Sequence, residues 1–430
     1  MKIKIIMGEK MNKNIKQKFP LKGIGKSKIF SEMDQKATLD LKWKERLAGG
    51  VSYPAGDDVL NIAKEAYLKF FSANALYKNI FSSVAQFEQD LVDMAANLFN
   101  SDKATGSITS GGSESILLAI KASRDRAKLL HPDIKYPEMI VPESAHPAFW
   151  KGAHYFGLKI IATPLLNDGM IDMKSYLNAV NKNTVLMVGS APSLTLGMID
   201  PISEMAAVAD KNNINFHVDA CVGGFFLPFI ERSGEDLEIW DFRVPGVTSI
   251  SADLHKFGYT AKGASLIMSR DEDIFKHQIF EWGPPHRSKD YYVTPNMAGT
   301  RPGGGIASAW AVVKYLGIEG YTKLVTDTMN YIKRFQNGIN SINGLNVLGK
   351  PVMSVFAYSS ESLNIYSIAS GMEDRGWLVG KDSFPFKAIR FMQSPGHAPY
   401  IEDYLRDLEH VTKLVKEGKI SEKEESANYN

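Results

Sequence analysis

Cysteine is almost absent from this sequence. Cys221 is the only cysteine among 430 residues, which excludes a disulfide within the chain and a metal site built from several cysteines. So little cysteine is typical of a reducing compartment, and we expect a cytoplasmic protein. Long apolar runs are also missing. The longest, residues 220–230, contains two glycines and a proline, whereas a membrane-spanning helix needs about 20 apolar residues, so we expect no integral membrane segment.

The sequence also lacks a large charge of either sign. Lysine and arginine total 50 against 48 aspartate and glutamate, a net charge of +2, and so small a surplus predicts no nucleic-acid partner. The surplus is uneven, because residues 2–28 carry nine lysines and one glutamate. We interpret this segment as a solvated basic arm in preference to a membrane contact. The 44% hydrophobic and 23% charged residues are typical of a globular protein and exclude general disorder.

Amphipathic helical stretches alternate along the chain with short apolar, β-branched runs, which predicts an α/β fold with a largely parallel sheet. The predicted helices are Asp57–Phe71, Ser83–Phe99, Glu114–Leu130, Ile202–Asn212, Ala307–Leu316 and Tyr404–Lys416. The predicted strands are Met139–Val141, Lys159–Thr163, Val185–Gly189, Ile214–Val218, Ser249–Ser251 and Ala264–Met268. We divide the chain into an N-terminal arm (1–55), a large domain (56–315), a smaller C-terminal α+β domain (316–418) and a polar tail (419–430).

The first cluster of candidate functional residues is the run Ser110–Ser115, which precedes an apolar helical stretch. Its paired glycines let the backbone approach a ligand closely, and Ser113 is a candidate for the helix N-cap. A helix N-terminus presents unpaired N–H groups and can bind a phosphate. A capped helix without any ligand explains this run equally well.

Two further clusters follow predicted strands. Asp219 lies in the run FHVDAC at the end of an apolar strand, where burial requires a positive partner such as a protonated heterocycle nitrogen. A metal site at His217 and Asp219 lacks an obvious third ligand. Lys256 follows the strand at residues 249–251, and we expect burial to lower its pKa and to free an amine for Schiff-base chemistry. An ordinary surface lysine is the alternative.

These clusters, in this order, resemble the fold-type I pyridoxal 5′-phosphate enzymes, in the group II decarboxylase family. The strings HVDACVGGFFLPF, DFRVPGVTSISADLHKFGYTAKGAS and AGTRPGG resemble most closely the sphingosine-1-phosphate lyases of that family. The resemblance extends over about residues 45–415. It implies a large domain with a mostly parallel sheet, a smaller C-terminal domain, pyridoxal phosphate as cofactor, and a homodimer.

The resemblance also implies roles for individual residues. Lys256 would bind the cofactor covalently and transfer protons, Asp219 would pair with the pyridine nitrogen, and His146 would stack on the ring. The groups expected at the cofactor phosphate are Gly111, Gly112, Ser113 and His255, with Thr300 and Arg301 supplied by the neighbouring chain. Lys262 matches a second active-site lysine of the lyases, and Tyr292 matches one of their tyrosines.

Two departures from the lyase pattern fall near the substrate. Tyr77 stands in Asn74-Ala75-Leu76-Tyr77, where the lyases have a histidine, and Tyr53 is the candidate for a tyrosine that binds the substrate phosphate. Because Lys262 and Tyr292 match the lyases, we predict cleavage of a phosphorylated sphingoid base into a fatty aldehyde and phosphoethanolamine, a step of sphingolipid metabolism. The departures at Tyr77 and Tyr53 leave amino-acid decarboxylation as the alternative. A dinucleotide-dependent oxidoreductase would need a G-x-G-x-x-G string, which is missing. A catalytically silent cofactor carrier is disfavoured because Lys256, Asp219 and His146 are all retained.

Overall fold

A computed structural model describes residues 19–40, 49–283 and 292–422. The chain divides between Trp43 and Lys44 into two units, and each is described by itself. In the first unit, α1 covers Lys26–Ala37. All other elements belong to the second unit.

The helices of the second unit are α2 (Asp57–Lys69), α3 (Ser82–Leu98), α4 (Gly112–Leu130), α5 (Ala148–Phe156), α6 (Met173–Asn178), α7 (Ile202–Lys211), α8 (Leu227–Arg232), α9 (Glu272–Phe275), α10 (Gly303–Ser341), α11 (Ile365–Asp374) and α12 (Ile401–Lys416), with a 3₁₀ helix at Pro395–Tyr400. The strands are β1 (Thr105–Thr109), β2 (Glu138–Pro142), β3 (Lys159–Thr163), β4 (Thr184–Ser190), β5 (Asn215–Asp219), β6 (Ser249–Ala252), β7 (Ser265–Ser269), β8 (Phe280–Trp282), β9 (Tyr292–Thr294), β10 (Asn346–Val347), β11 (Val355–Ser359), β12 (Gly380–Asp382) and β13 (Ala388–Met392).

A seven-stranded sheet in the order β1-β7-β6-β5-β4-β2-β3 forms the centre of this unit. Only β7 runs antiparallel to its neighbours, β6 and β1, while β6, β5, β4, β2 and β3 pair in parallel. Strands β2, β4 and β5 are buried along their whole length, as expected where helices cover both faces of a parallel sheet. The predicted α/β fold with a mostly parallel sheet is therefore confirmed.

A second, antiparallel sheet in the order β10-β11-β13-β12 lies towards the C-terminus. Aromatic rings fill its core, where Phe335 and Phe391 both contact the ring of Tyr404. Helix α10 contributes to both cores, with Ile306 in the core of the central sheet and Phe335 in the second core. The predicted domain boundaries themselves stay a prediction.

Within α10, Gly317 interrupts the helical geometry with φ 57° and ψ −173°. This backbone conformation favours glycine, because a side chain would clash with its own backbone there. The predicted boundary at residue 316 is adjacent to this kink. Although α10 has 39 residues, no helix in the described ranges is both long and apolar enough to cross a membrane.

The carboxyl ends of β5 and β6 meet at one edge of the central sheet, because the two strands are parallel and Asp219 is opposite Ser251 in the register. Ligands of open α/β sheets bind at this edge. The chain leaves β6 directly into Asp253 and Lys256. The start of α4 lies at the same place, since Gly112 is next to the Asp253 carboxylate.

Candidate active site

Lys256 is held by an aspartate three residues earlier in the chain. Its Nζ lies 3.0 Å from Oδ2 of Asp253, a side chain that is 2% exposed and also accepts a hydrogen bond from Ser265. Burial is the largest single effect on Lys256 and lowers its pKa. The opposing effects, of which the charge of Asp253 is the largest, together outweigh burial, and the net pKa is raised. The prediction of a lowered pKa is therefore wrong for the chain without cofactor, in which Lys256 is an ammonium group.

Asp219 lies at the end of β5, and only one of its two carboxylate oxygens accepts hydrogen bonds from the described residues. Its Oδ1 accepts hydrogen bonds from the backbone N–H of Cys221 at 3.1 Å and from the hydroxyl of Ser251 at 3.3 Å. Among the described residues, Oδ2 makes no hydrogen bond, although the residue is only 8% exposed. A buried carboxylate with one open acceptor suits a protonated ring nitrogen.

His146, between β2 and α5, lies near both Asp219 and Lys256. Its Nδ1 accepts a hydrogen bond from the backbone N–H of Ala148 at 3.1 Å. Burial is the main cause that lowers the pKa of His146; the Asp219 charge opposes it and the Lys256 charge adds to it. The imidazole is therefore neutral near pH 7, which suits a ring that stacks on a cofactor.

Arg390 of β13 also lies close enough to His146 for its charge to lower the pKa of the imidazole. Its Nε donates to Oδ2 of Asp382 at 2.9 Å. Neither Arg390 nor Asp253 was predicted as a site residue from the sequence. A carboxylate three residues before the lysine was a usable signal for Asp253, whereas Arg390 reaches the site only through the fold.

The paired glycines form the start of α4, as predicted, but the cap differs. The helix begins at Gly112, so Ser113 lies inside the first turn and its predicted N-cap role is wrong. Instead, Glu114 Oε2 accepts a hydrogen bond from the backbone N–H of Ser110 at 2.7 Å. A Cβ on Gly112 would lie 2.6 Å from Cys221 Sγ and 2.9 Å from the Asp253 oxygens. A side chain at Gly112 would therefore force Cys221 or Asp253 to move.

His255 lies beside this helix start with an unused ring nitrogen. Its Cε1 is 3.4 Å from the position that a Cβ on Gly111 would take, and its Nδ1 is buried without a hydrogen-bond partner. A buried polar atom without a partner is costly and calls for an explanation. A phosphate at the N-terminus of α4 would give Nδ1 an acceptor and would use the helix N–H groups.

Lys262 and Tyr53 complete this part of the site. Lys262 Nζ lies 4.7 Å from the centre of the Tyr53 ring and donates to the carbonyl of His255 at 3.1 Å. Burial, followed by the charge of Lys256, lowers the pKa of Lys262 to about 8. Tyr53 packs on Phe257, and its hydroxyl lies 2.7 Å from the sulfur of Met392. Both predicted residues therefore lie close to Lys256.

Four other predicted site residues form a second group, which we call the loop cluster: Tyr77, Tyr292, Thr300 and Arg301. Tyr77 is 53% exposed, Thr300 accepts a hydrogen bond from Asn74, and the Tyr292 hydroxyl lies 2.9 Å from the position of a Cβ on Gly299. In the described part of the chain, no hydrogen bond or ion pair joins the loop cluster to Lys256.

Arg301, which the resemblance predicts at the cofactor phosphate of the neighbouring chain, forms an ion pair within its own chain. Its guanidinium forms two hydrogen bonds with the Glu88 carboxylate, at 2.7 and 2.9 Å, and a third with the carbonyl of Ile108. The side chain is buried, and this ion pair fixes the loop within its own chain. The role of Arg301 at the phosphate of a neighbouring chain stays a prediction, and Thr300 is exposed beside it.

Cys221 is buried beside Ser251, and burial raises the pKa of its thiol well above the ordinary value. It is therefore a poor nucleophile. No three metal-ligating side chains come together within the ranges that the structure describes. His217 and Asp219 are instead hydrogen-bonded to serines.

A family model described as the pyridoxal-dependent decarboxylase conserved domain matches residues 9–360. The chain belongs to this family. Its cofactor is pyridoxal phosphate, and the protein is a pyridoxal-phosphate-dependent lyase. The described residues fit that cofactor: Lys256 would attach it covalently, Oδ2 of Asp219 would meet the ring nitrogen and His146 the ring. The start of α4, with His255, would hold the phosphate.

Three similar proteins place the chain within the decarboxylase family. The sphingosine-1-phosphate lyase of Arabidopsis thaliana is 38% identical over 94% of this chain and 75% of the relative. The structure of a Burkholderia pseudomallei sphingosine-1-phosphate lyase matches with a TM-score of 0.88 and 33% identity, over 94% of both chains. A probable L-tyrosine/L-aspartate decarboxylase of Methanothermobacter thermautotrophicus is 32% identical over 81% of this chain and 94% of the relative.

Proposed function

We propose that this chain cleaves the Cα–Cβ bond of a phosphorylated sphingoid base and releases a fatty aldehyde and phosphoethanolamine. The proposal rests on the position of Lys262. Its Nζ lies between the Tyr53 ring and the His255 carbonyl, next to the predicted cofactor lysine. A lysine with a pKa of about 8 can exchange protons near neutral pH, as cleavage of a hydroxyl-bearing carbon requires. Relatives named sphingosine-1-phosphate lyase support the same substrate class.

The roles of the residues follow from the bonds that change. Bound pyridoxal phosphate supplies the electron sink that weakens bonds at the amine-bearing carbon. Lys262 removes the proton of the substrate's β-hydroxyl, so that the carbonyl of the aldehyde forms as the Cα–Cβ bond breaks. The electron pair of that bond stays with Cα, and Lys256 returns a proton to Cα to complete phosphoethanolamine. Asp253 holds Lys256 in its protonated form before that step.

One observation favours amino-acid decarboxylation as the second candidate. Arg390 places a positive charge near His146. Its Nε donates to Asp382, and the remaining N–H groups of the guanidinium can pair with a substrate carboxylate. A relative named as a probable amino-acid decarboxylase supports this reading. Both reactions use the same cofactor residues, so the choice depends on the groups that hold the substrate.

The deciding experiment supplies the purified holoprotein with a phosphorylated sphingoid base and, separately, with tyrosine, aspartate and glutamate. We expect fatty aldehyde from the first and no carbon dioxide from the others. Lys262→Ala should slow aldehyde release at least about tenfold, the scale of a lost proton-transfer group. Carbon dioxide from an amino acid, without aldehyde from the phosphorylated base, would establish the decarboxylase instead.

The chain acts as a homodimer in this proposal, and the loop cluster of one subunit completes the site of the other. Large apolar side chains are exposed around that cluster: Tyr77, Ile80, Phe280, Trp282, Tyr292, Val293 and Met297. Monomeric proteins rarely leave so many apolar groups on one surface, and covering them against a second copy removes that cost. We also propose a cytoplasmic location, because a single cysteine is typical of a reducing compartment.

A further inference from the structure

The register of β5 and β6 brings four polar side chains onto one face of the central sheet. His217 pairs with Ser249, and Asp219 pairs with Ser251. Residues two apart on a strand point to the same face, so the four side chains form a row. All four are buried. Polar groups buried in the middle of an apolar sheet are costly unless each finds a partner.

The hydrogen bonds in this row have only one consistent direction. A carboxylate oxygen is an acceptor, so the Ser251 hydroxyl donates its single proton to Oδ1 of Asp219 at 3.3 Å. The oxygen of Ser251 must then accept from His217 Nε2, which lies 3.2 Å away. His217 Nδ1, 2.8 Å from Ser249, accepts in turn from that hydroxyl.

The direction requires a neutral imidazole with its proton on Nε2. Burial lowers the pKa of His217 to about 4, although the Asp219 charge opposes the shift. The ring is therefore neutral at physiological pH and offers one donor and one acceptor. The edge-to-face contact with Phe149, with ring centres 6.0 Å apart, restricts its rotation.

We propose that His217 and Ser251 are positioning residues for Asp219, and that they fix its carboxylate so that Oδ2 is presented to the ring nitrogen of the cofactor. The row runs in one direction, from Ser249 through His217 and Ser251 to Asp219. The proposal rests on the family's cofactor and is independent of the substrate. A failed lyase assay would leave it intact.

Ser249 and Ser251 provide a matched pair for the test. Both are buried serines on β6 that bond the same histidine, but only Ser251 touches Asp219. We would measure the dissociation constant and the visible absorption of bound pyridoxal phosphate for Ser251→Ala and Ser249→Ala. Losing a hydrogen bond to a charged group should weaken cofactor binding about tenfold and shift the absorption band in Ser251→Ala. Ser249→Ala should change the affinity less than about twofold, because its donor is two bonds removed from the carboxylate.

Two substitutions of His217 give an independent check. His217→Phe removes the Nε2 donor and should match Ser251→Ala, while His217→Gln retains an N–H there and should recover most of the affinity. Thermal melting of each cofactor-free variant separates misfolding from weak binding, and the Phe and Gln variants are compared only if both melt cooperatively. Equal effects of Ser249→Ala and Ser251→Ala, or folded variants with unchanged affinity and spectrum, would overturn the proposal.

Discussion

Lys256 and Lys262 are neighbours in the site, yet their acid–base properties differ. Asp253 raises the pKa of Lys256 against the effect of burial. For Lys262, burial and the charge of Lys256 both act downwards, and the pKa falls to about 8. The pKa values differ because the Asp253 carboxylate lies at hydrogen-bond distance from Lys256 but acts on Lys262 only through its charge.

The first residue-scale prediction concerns Lys256. Borohydride reduction of the holoprotein should fix the cofactor on Lys256, and peptide mapping should recover the label there. Lys262→Ala should carry the same label, because Lys262 does not bind the cofactor covalently in our assignment. A label found on any other lysine would show that the assignment is mistaken.

The second residue-scale prediction concerns the titration of Lys262 in the cofactor-free protein. An acylating reagent attacks only the neutral amine, so labelling of Lys262 should rise with a midpoint near pH 8, well below the value of about 10.4 for an ordinary lysine. Mass spectrometry of the labelled peptides gives the midpoint. Lys256→Met removes a neighbouring positive charge and should move the midpoint upwards. An unshifted midpoint in that variant would contradict the described environment.

The turn from β1 into α4 leaves no free space beside Gly112 for a side chain. Gly112→Ala would place a Cβ against Cys221 and Asp253, and such overpacking should lower the free energy of unfolding by about 1–3 kcal/mol. Gly111→Ala is the control, because its backbone is extended and its closest neighbour lies at 3.4 Å. Denaturant unfolding of the two cofactor-free variants measures the difference. Equal stabilities would mean that the turn adapts.

Elements with clear periodicity were predictable from the sequence, and short polar ones were not. The apolar runs of β4 and β5 and the amphipathic pattern of α3 lie within a few residues of their predicted positions. Strand β1, TGSIT, has no apolar run, and it becomes a strand because β7 pairs with it. Local pattern cannot reveal an element whose stability comes from a distant partner.

The same limit applies to the candidate site. Lys256, Asp219 and His146 belong to recognisable motifs, and the fold brings them together. The Glu88–Arg301 ion pair joins residues 213 positions apart. The sequence around Arg301 could therefore not reveal that Glu88 is its partner. Ser113 was misassigned for a local reason, because the helix begins one residue earlier than the serine.

The proposed sharing of sites between subunits predicts that two inactive variants complement each other. Lys256→Ala chains lack the cofactor lysine, and Thr300→Glu chains present a negative charge to the partner's cofactor phosphate. Each should be inactive alone. A hybrid dimer contains one site free of both changes, so an equal mixture should regain roughly a quarter of the normal activity.

Two different affinity tags would isolate the hybrid dimers for the complementation assay. Hybrids that form but remain inactive would count against shared sites. Arg301→Ala is unsuitable as the second variant, because it would leave the buried Glu88 carboxylate unpaired and cost about 3–5 kcal/mol of stability.

The burial of Cys221 has a practical consequence for studies of motion in this protein. Thiol reagents need an accessible thiolate, and the chain's only cysteine offers neither access nor a low pKa. A cysteine introduced at an exposed position would therefore be the single site to take a fluorophore or a spin label, with Cys221 left in place. The label's response to substrate can then be followed while every residue of the candidate active site is unchanged.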